Sequence, residues 1–209
     1  MSDADQYRLG VTGEMEGLVF ASGDLIHQGG DAHQAGIDDV STYLANLTTG
    51  AKLSDSAKGS FNFLYGGDDD LDDNDDKSFE SIDADVKVGQ IFFKDSLAGS
   101  LDHYVEDMPH RLAHGLINLA LEGEVKLDQR NTIRAAVRYL ASAEDMTLST
   151  GGEDDELGYE LDLWYSYKMN KNLTFKVEGA YLFSDDLAED LLADNDDVYQ
   201  MAAGAVFKF

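Results

Sequence analysis

Leu157-Gly-Tyr-Glu-Leu-Asp-Leu-Trp-Tyr-Ser-Tyr-Lys-Met169, the link Asn170-Lys-Asn172 and Leu173-Thr-Phe-Lys-Val-Glu-Gly-Ala-Tyr-Leu-Phe183 change character at nearly every residue. Odd positions carry Tyr159, Leu161, Leu163, Tyr165 and Tyr167, then Phe175, Val177, Tyr181 and Phe183. Even positions carry Glu160, Asp162, Ser166, Lys168, Lys176 and Glu178. Successive side chains of a strand point to opposite faces, so this period of two predicts two strands with one oily and one charged face. A helix would scatter both sets around its circumference.

Working outward, the pattern recurs. Residues 116–127 set Ile117, Leu119, Leu121, Val125 and Leu127 against Asn118, Glu122, Glu124 and Lys126. Residues 132–141 set Ile133, Ala135, Val137 and Tyr139 against Thr132, Arg134 and Arg138. Residues 199–209 set Tyr199, Met201, Ala203, Ala205, Phe207 and Phe209 against Gln200, Gly204 and Lys208. Four further candidates lie upstream, at 6–16, 18–28, 42–53 and 58–65. The second alternates poorly, and its faces stay unassigned. Nine strands of about 10 residues each have the length that crosses a bilayer at a tilt of roughly 45°.

The connections alternate as well. Those at 16–17, 54–57, 128–130 and 170–172 are tight turns, whereas 29–41, 66–113, 143–156 and 184–197 are read as long acidic loops. Short turns at one end and long loops at the other are the asymmetry of outer-membrane barrels, with the long loops extracellular. A soluble β-sandwich has no reason to show it. Oily-face aromatics gather near the strand ends: Tyr65, Tyr139, Tyr159, Tyr181, Phe183 and Tyr199 toward the long loops, and Tyr167, Phe175, Phe207 and Phe209 toward the short turns. Interfacial girdles have this placement. The predicted fold is therefore all-β, an antiparallel transmembrane β-barrel forming one domain over 1–209.

Composition narrows the function classes. The 209 residues include 42 acidic and 15 basic side chains, a net charge of -27, with one proline and no cysteine. That acidity opposes nucleic acid as a partner. Without cysteine there is no disulfide framework or thiolate metal site, which fits an envelope protein. No stretch approaches the roughly 18–20 apolar residues of a membrane helix, and the mean hydropathy of -0.33 resembles that of soluble proteins. Averaged hydropathy does not register barrels, because lipid-facing and lumen-facing residues alternate. Residues 1–6 carry neither the basic stretch nor the apolar core of a secretory signal.

The final segment, Tyr199-Gln-Met-Ala-Ala-Gly-Ala-Val-Phe-Lys-Phe209, resembles the insertion signal recognised by the outer-membrane barrel assembly machinery, with Tyr199, Phe207 and Phe209 as its aromatic positions. Other stretches resemble the alginate-export family of porins. These are Tyr7-Arg-Leu-Gly-Val11 running into His27-Gln-Gly-Gly-Asp31, Phe61-Asn-Phe-Leu-Tyr-Gly-Gly-Asp68 followed by an acid run and Phe79, and the 157–167 segment leading into Asn170-Lys-Asn-Leu-Thr174. The resemblance implies a barrel of about eighteen strands with an electropositive lumen passing anionic polysaccharide or other small anions. Residues 1–209 are then expected to supply its C-terminal half. With Phe209 periplasmic, nine strands place residue 1 outside the cell, whereas single-chain bacterial barrels have an even strand number. A tenth strand at 86–93 is the other way to account for the count.

The charged faces carry the candidate site. Arg8, Lys52, Lys58, Lys126, Arg134, Arg138, Lys168, Lys176 and Lys208 are expected to line the lumen, nine of the 15 basic residues. Glu14, Glu122, Glu124, Glu160, Asp162 and Glu178 share those faces, so each cation is either a contact for a passing anion or a salt-bridge partner. Arg134 and Arg138, four residues apart on one face, form adjacent steps for carboxylate or phosphate groups. Lipid is expected against Ile117, Leu119, Leu161, Leu163, Val177 and Ala203.

Other chemistry is sparse. Asp68-Asp-Asp-Leu-Asp-Asp-Asn-Asp-Asp76 lacks the glycine and bidentate glutamate of an EF-hand loop. It is either a solvated loop tip or a weak bridge for divalent ions at the lipopolysaccharide surface. His33, His103, His110 and His114 show no HExxH spacing, and no nucleophile motif accompanies them. Neither enzymatic activity nor a cofactor or metal is expected. The apolar residues within 83–112 either fold into the lumen as a constriction or cap its mouth, and 187–193 is read as a short loop helix. A passive porin for anionic solutes is the leading expectation, with outer-membrane lipid and lipopolysaccharide around it. The rival is a non-conducting structural or adhesive barrel with a plugged lumen.

Overall fold

The computed structural model describes residues 6–34, 37–67, 90–91, 115–192 and 197–209. Nine strands, β1 (Gln6–Met15), β2 (Val19–Gln34), β3 (Ile37–Ser54), β4 (Ala57–Gly66), β5 (Leu116–Lys126), β6 (Asn131–Thr147), β7 (Glu153–Lys168), β8 (Leu173–Ser184) and β9 (Val198–Phe207), form one sheet in chain order. Every neighbouring pair is antiparallel, so the protein is an all-β meander. Among the described residues one helix, α1 (Asp186–Leu192), lies between β8 and β9. Among the described residues β1 pairs with β2 alone and β9 with β8 alone.

The register carries residue parity across the whole sheet. Val11 faces Leu25, Leu25 faces Ala45, Ala45 faces Tyr65 and Tyr65 faces Ile117. Beyond them Leu119 faces Tyr139, Tyr139 faces Tyr159, Tyr159 faces Phe183, and Tyr181 faces Tyr199. All nine strands therefore share an odd face and an even face. This also settles β2, whose oily side is the one holding Leu25.

Exposure is inverted relative to a water-soluble sheet. Leu163 is 54% exposed and Met201 77%, while Glu160 and Asn118 on the other face are 0% exposed. Burying charge and amide without partners costs several kcal/mol each, so the even face must bond to itself or to something laid over it.

Two connections differ from the sequence reading. Strand extends through Gln34 and resumes at Ile37, so most of 29–41 is ladder; likewise β6 reaches Thr147 and β7 begins at Glu153, reducing 143–156 to a turn at 148–152. Apolar alternation stops where side chains no longer need an oily environment, but the ladder depends on backbone groups and continues past that point. In 184–197, Ser184 completes β8 and α1 occupies 186–192. Of the 66–113 connection only Gly66, Gly67, Gln90 and Ile91 are described, so the acidic run, His103, His110 and the candidate strand at 86–93 (Gln90 and Ile91 apart) lie outside the described residues, as does His114 just beyond it, whereas His33 falls within β2.

α1 has seven residues, too few to persist by propensity alone. Its Leu187 and Ala188 are buried against Leu140, Leu157 and Leu182 on the long-loop end of the even face, where Ile91 joins them. Asp186 and Glu189 in its first turn complement the helix dipole. Ser149 of the 148–152 turn donates its backbone N–H and its hydroxyl to Asp190, tying that turn to the helix. Gly158 sits beside the irregularity in the β6–β7 ladder with φ of 114°, and a Cβ there would overlap the Phe183 carbonyl. Only glycine meets both demands.

Candidate functional site

Three rows of even-face residues run across the strands. Toward the short turns, Lys52, Lys58, Glu124, Arg134, Trp164 and Glu178 are successive register partners. The next row holds Ser60, Glu122, Ala136, Asp162 and Ala180, and the third Thr48, Asn62, Ala120, Arg138, Glu160 and Leu182. Charge is thus strung across the sheet, exposed at Lys52 and Lys58 in the first row and buried at Asp162, Arg138 and Glu160 in the next two.

Arg138 is the centre of this arrangement. Its Nε donates to Asp162 Oδ2 at 2.6 Å and its Nη2 to Glu122 Oε2 at 3.5 Å. The Arg138 side chain is 6% exposed and that of Asp162 0%. Such a charge-assisted pair is held by geometry as well as by attraction. Arg134 lies over the Trp164 ring, its guanidinium carbon 3.7 Å from the ring centroid. The two arginines therefore differ: Arg138 is engaged by two carboxylates, and Arg134 is stacked on an aromatic face.

The remaining predicted cations lie on the same parity. Lys58 meets Glu124 at 3.4 Å. Lys126 is the register partner of Thr132, Lys168 of Thr174, and Lys176 of Ser166 and Gly204. Arg8 is the register partner of Gln28. Lys208 follows β9 and donates its backbone N–H to Asn172 O at 2.8 Å. Lys52, Lys58, Lys126, Lys168, Lys176 and Lys208 all fall within a few residues of a tight turn or the end of β9, whereas Glu122, Glu160, Asp162 and Arg138 occupy the middle of their strands. Of the aromatic signal positions, Tyr199 and Phe207 lie on the odd face of β9, and Phe209 follows it, fully exposed.

Two features escaped the sequence reading. Glu160 Oε1 accepts the backbone N–H groups of Gln90 at 2.6 Å and Ile91 at 3.1 Å. Gln90 Nε2 donates to the Gly179 carbonyl at 3.1 Å, and Gln200 Nε2 donates to the Gln90 carbonyl at 3.4 Å. This short piece of the 66–113 connection is thereby seated on β7, β8 and β9. An amide chain also links β3, β4 and β5: Asn118 donates to Asn62 at 2.8 Å, and Asn62 donates to Thr48 at 2.9 Å and Asn46 at 3.3 Å. The one available signal was amides and a lone tryptophan at even positions of oily segments. Among the described residues no three metal-ligating side chains converge.

By its fold this is an all-β protein, a nine-stranded antiparallel sheet with an exposed apolar face and a charged face that is buried at Arg138, Glu160, Asp162 and Glu178 and exposed at the lysines near the tight turns. Comparison with protein-family models and with curated proteins finds no match for this chain.

Proposed function

We propose that the chain forms the wall of an outer-membrane β-barrel porin, whose even face lines a lumen for passive diffusion or export of anionic solutes. The inverted exposure carries this reading: hydrocarbon is the solvent that suits an exposed face of Leu161, Leu163, Val177 and Met201. Dimensions agree with it. Tyr199 and Phe207 are eight residues apart on β9, about 27 Å along a strand. Tilted by 35–45° that becomes about 20 Å, close to the ~25 Å apolar band of outer-membrane barrels. Tyrosine hydroxyls are tied at the long-loop side, Tyr181 to Asp197 at 2.7 Å and Tyr139 to Glu156 at 3.1 Å, as amphipathic rings at a bilayer interface require. The resemblance to alginate-export porins points to anionic polysaccharide as a solute class.

A second reading, a non-conducting structural or adhesive barrel, is favoured by the material laid on the even face. Gln90, Ile91, Leu187 and Ala188 are buried there, and Ile91, Leu187 and Ala188 form an apolar cluster with Leu140 and Leu182. Conductance separates the two. Purified protein in planar bilayers under a salt gradient is expected to give steady current with a reversal potential on the anion side, and Arg134→Ala/Arg138→Ala to move it toward zero. Absence of steady current selects the plugged barrel. Cation selectivity, or no shift in the variant, reduces the two arginines to structural salt-bridge and stacking partners.

A further inference from the structure

At the short-turn end of the even face, the β3–β4 turn and the end of β5 enclose a concave pocket walled by Lys52, Lys58 and Lys126, with Ser54 and Ser56 along its rim. Lys52 and Lys58 are direct cross-strand partners. Like charges directly opposite one another destabilise a strand pair, so the arrangement calls for negative charge between them. Two carboxylates are at hand. Glu124 meets Lys58 at 3.4 Å, and Asp55 belongs to the turn itself. Three ammonium groups against two carboxylates leave the pocket positive.

The frame of the pocket is fixed by backbone. Lys52 donates its N–H to Leu18 O at 2.8 Å, and Lys126 donates its N–H to Ser56 O at 2.7 Å. The turn is braced internally, with Ser56 N–H donating to Ser54 Oγ at 3.2 Å. Between Lys52 and Ser54 the ladder carries an irregularity, the kind of device that re-aims side chains beside binding sites. A rigid frame holding three flexible ammonium donors and a hydroxyl suits a compact group with several acceptor oxygens.

We propose that this pocket binds a phosphate group. The group is either free in solution or carried on a phospholipid headgroup, since Leu18 and Leu53 in the pocket wall are each 73% exposed and offer an apolar edge beside the cations. The headgroup source rests on the membrane reading of the proposed function, whereas binding of free phosphate is read by titration alone, so its failure would leave the conductance test untouched.

Calorimetric titration of inorganic phosphate into the protein in a non-ionic maltoside micelle should show saturable binding that weakens steeply with added salt. Lys52→Gln/Lys58→Gln and, separately, Lys126→Gln should each weaken it at least tenfold, while Lys171→Gln in the β7–β8 turn leaves it unchanged. Far-ultraviolet circular dichroism of each variant verifies that the sheet is retained. Nanodiscs distinguish the sources: loss of phosphate affinity on adding phosphatidylglycerol to a phosphatidylcholine bilayer assigns the pocket to the headgroup, and unchanged affinity to the soluble anion. Non-saturable heats, or equal weakening by Lys171→Gln, would overturn the proposal.

Discussion

Arg138 and Asp162 are both almost wholly removed from solvent, and each is acceptable there because the other is present. Truncating one partner of such a pair strands the other charge, which costs about 3–5 kcal/mol, whereas replacing both with apolar groups of similar size is far milder. Arg138→Ala should therefore lower unfolding free energy by about that amount in urea titration of the micelle-folded protein, and Arg138→Met/Asp162→Leu by clearly less. A different carboxylate sets an acid limit. Asp128, in the β5–β6 turn, accepts the backbone N–H of Arg130 at 2.7 Å, the Asn131 side chain at 2.7 Å and the Asn131 backbone N–H at 2.8 Å. These bonds, that from the Arg130 N–H foremost, hold its pKa below the ordinary 3.8. A depressed carboxylate stabilises the fold above its ordinary pKa, and that contribution disappears as pH falls through the lowered value. Below pH 3.8, stability of the parent should fall more steeply with acid than that of Asp128→Ala; identical slopes would remove Asp128 from the acid response.

At the scale of the element, each strand carries one apolar and one polar face, to which the barrel reading assigns two different solvents. Leu163 on β7 is 54% exposed between Ala135 and Gly179, while its neighbour Asp162 is buried against Arg138. In water an arginine at position 163 would be harmless. At the midplane of a bilayer it costs roughly 2–4 kcal/mol. Leu163→Arg should thus lower folding stability by about that much in lipid vesicles. An unperturbed variant in vesicles would mean that the odd face does not meet hydrocarbon. The latch at β7 belongs to this scale too, since Glu160 gathers two backbone N–H groups from a connection about seventy residues upstream, and the Gln90 bonds with Gly179 and Gln200 carry the same segment onto β8 and β9.

For the whole molecule the two edges matter most. β1 and β9 both run from the long-loop end toward the short-turn end, because eight successive antiparallel steps return to the starting direction. A direct β1–β9 junction would consequently be parallel, unlike every pairing observed. In hydrocarbon an unpaired strand edge leaves a row of N–H and C=O groups unsatisfied at several kcal/mol each, so both edges must find strands. The barrel reading therefore predicts a species whose electrophoretic mobility changes on heating. Monomeric mobility of that species means parallel closure of one chain; the mobility of a multiple means edges shared between copies. No heat-modifiable species at all would overturn closure by residues 1–209 alone, in one copy or several, and would accord with a half-barrel completed by further strands.

Much of this architecture was legible in the residues themselves. The alternation of Leu161, Leu163 and Tyr165 with Glu160 and Asp162 is a local period of two, so it assigns a strand and its faces without reference to anything distant. The same reasoning located nine strands and the tight turns between them. It stopped at β2, where weak alternation left the faces open until Leu25 was set opposite Val11. It also stopped where oily character ended, although β2, β3, β6 and β7 continue as backbone ladders. Lys52 and Lys58 were placed on one face, but their direct opposition across the β3–β4 hairpin depends on an irregularity that no periodicity reports. Arg138 was visible as a charged-face residue with Glu122 as a salt-bridge candidate, yet its shorter bond to Asp162, 24 residues away, was not. Periodicity records which solvent each side chain must meet, and that is a property of neighbours in the chain. Which carboxylate meets which cation, and that Gln90 and Ile91 lie on Glu160, are set by register and by loops folding back over the sheet, so only the tertiary structure decided them.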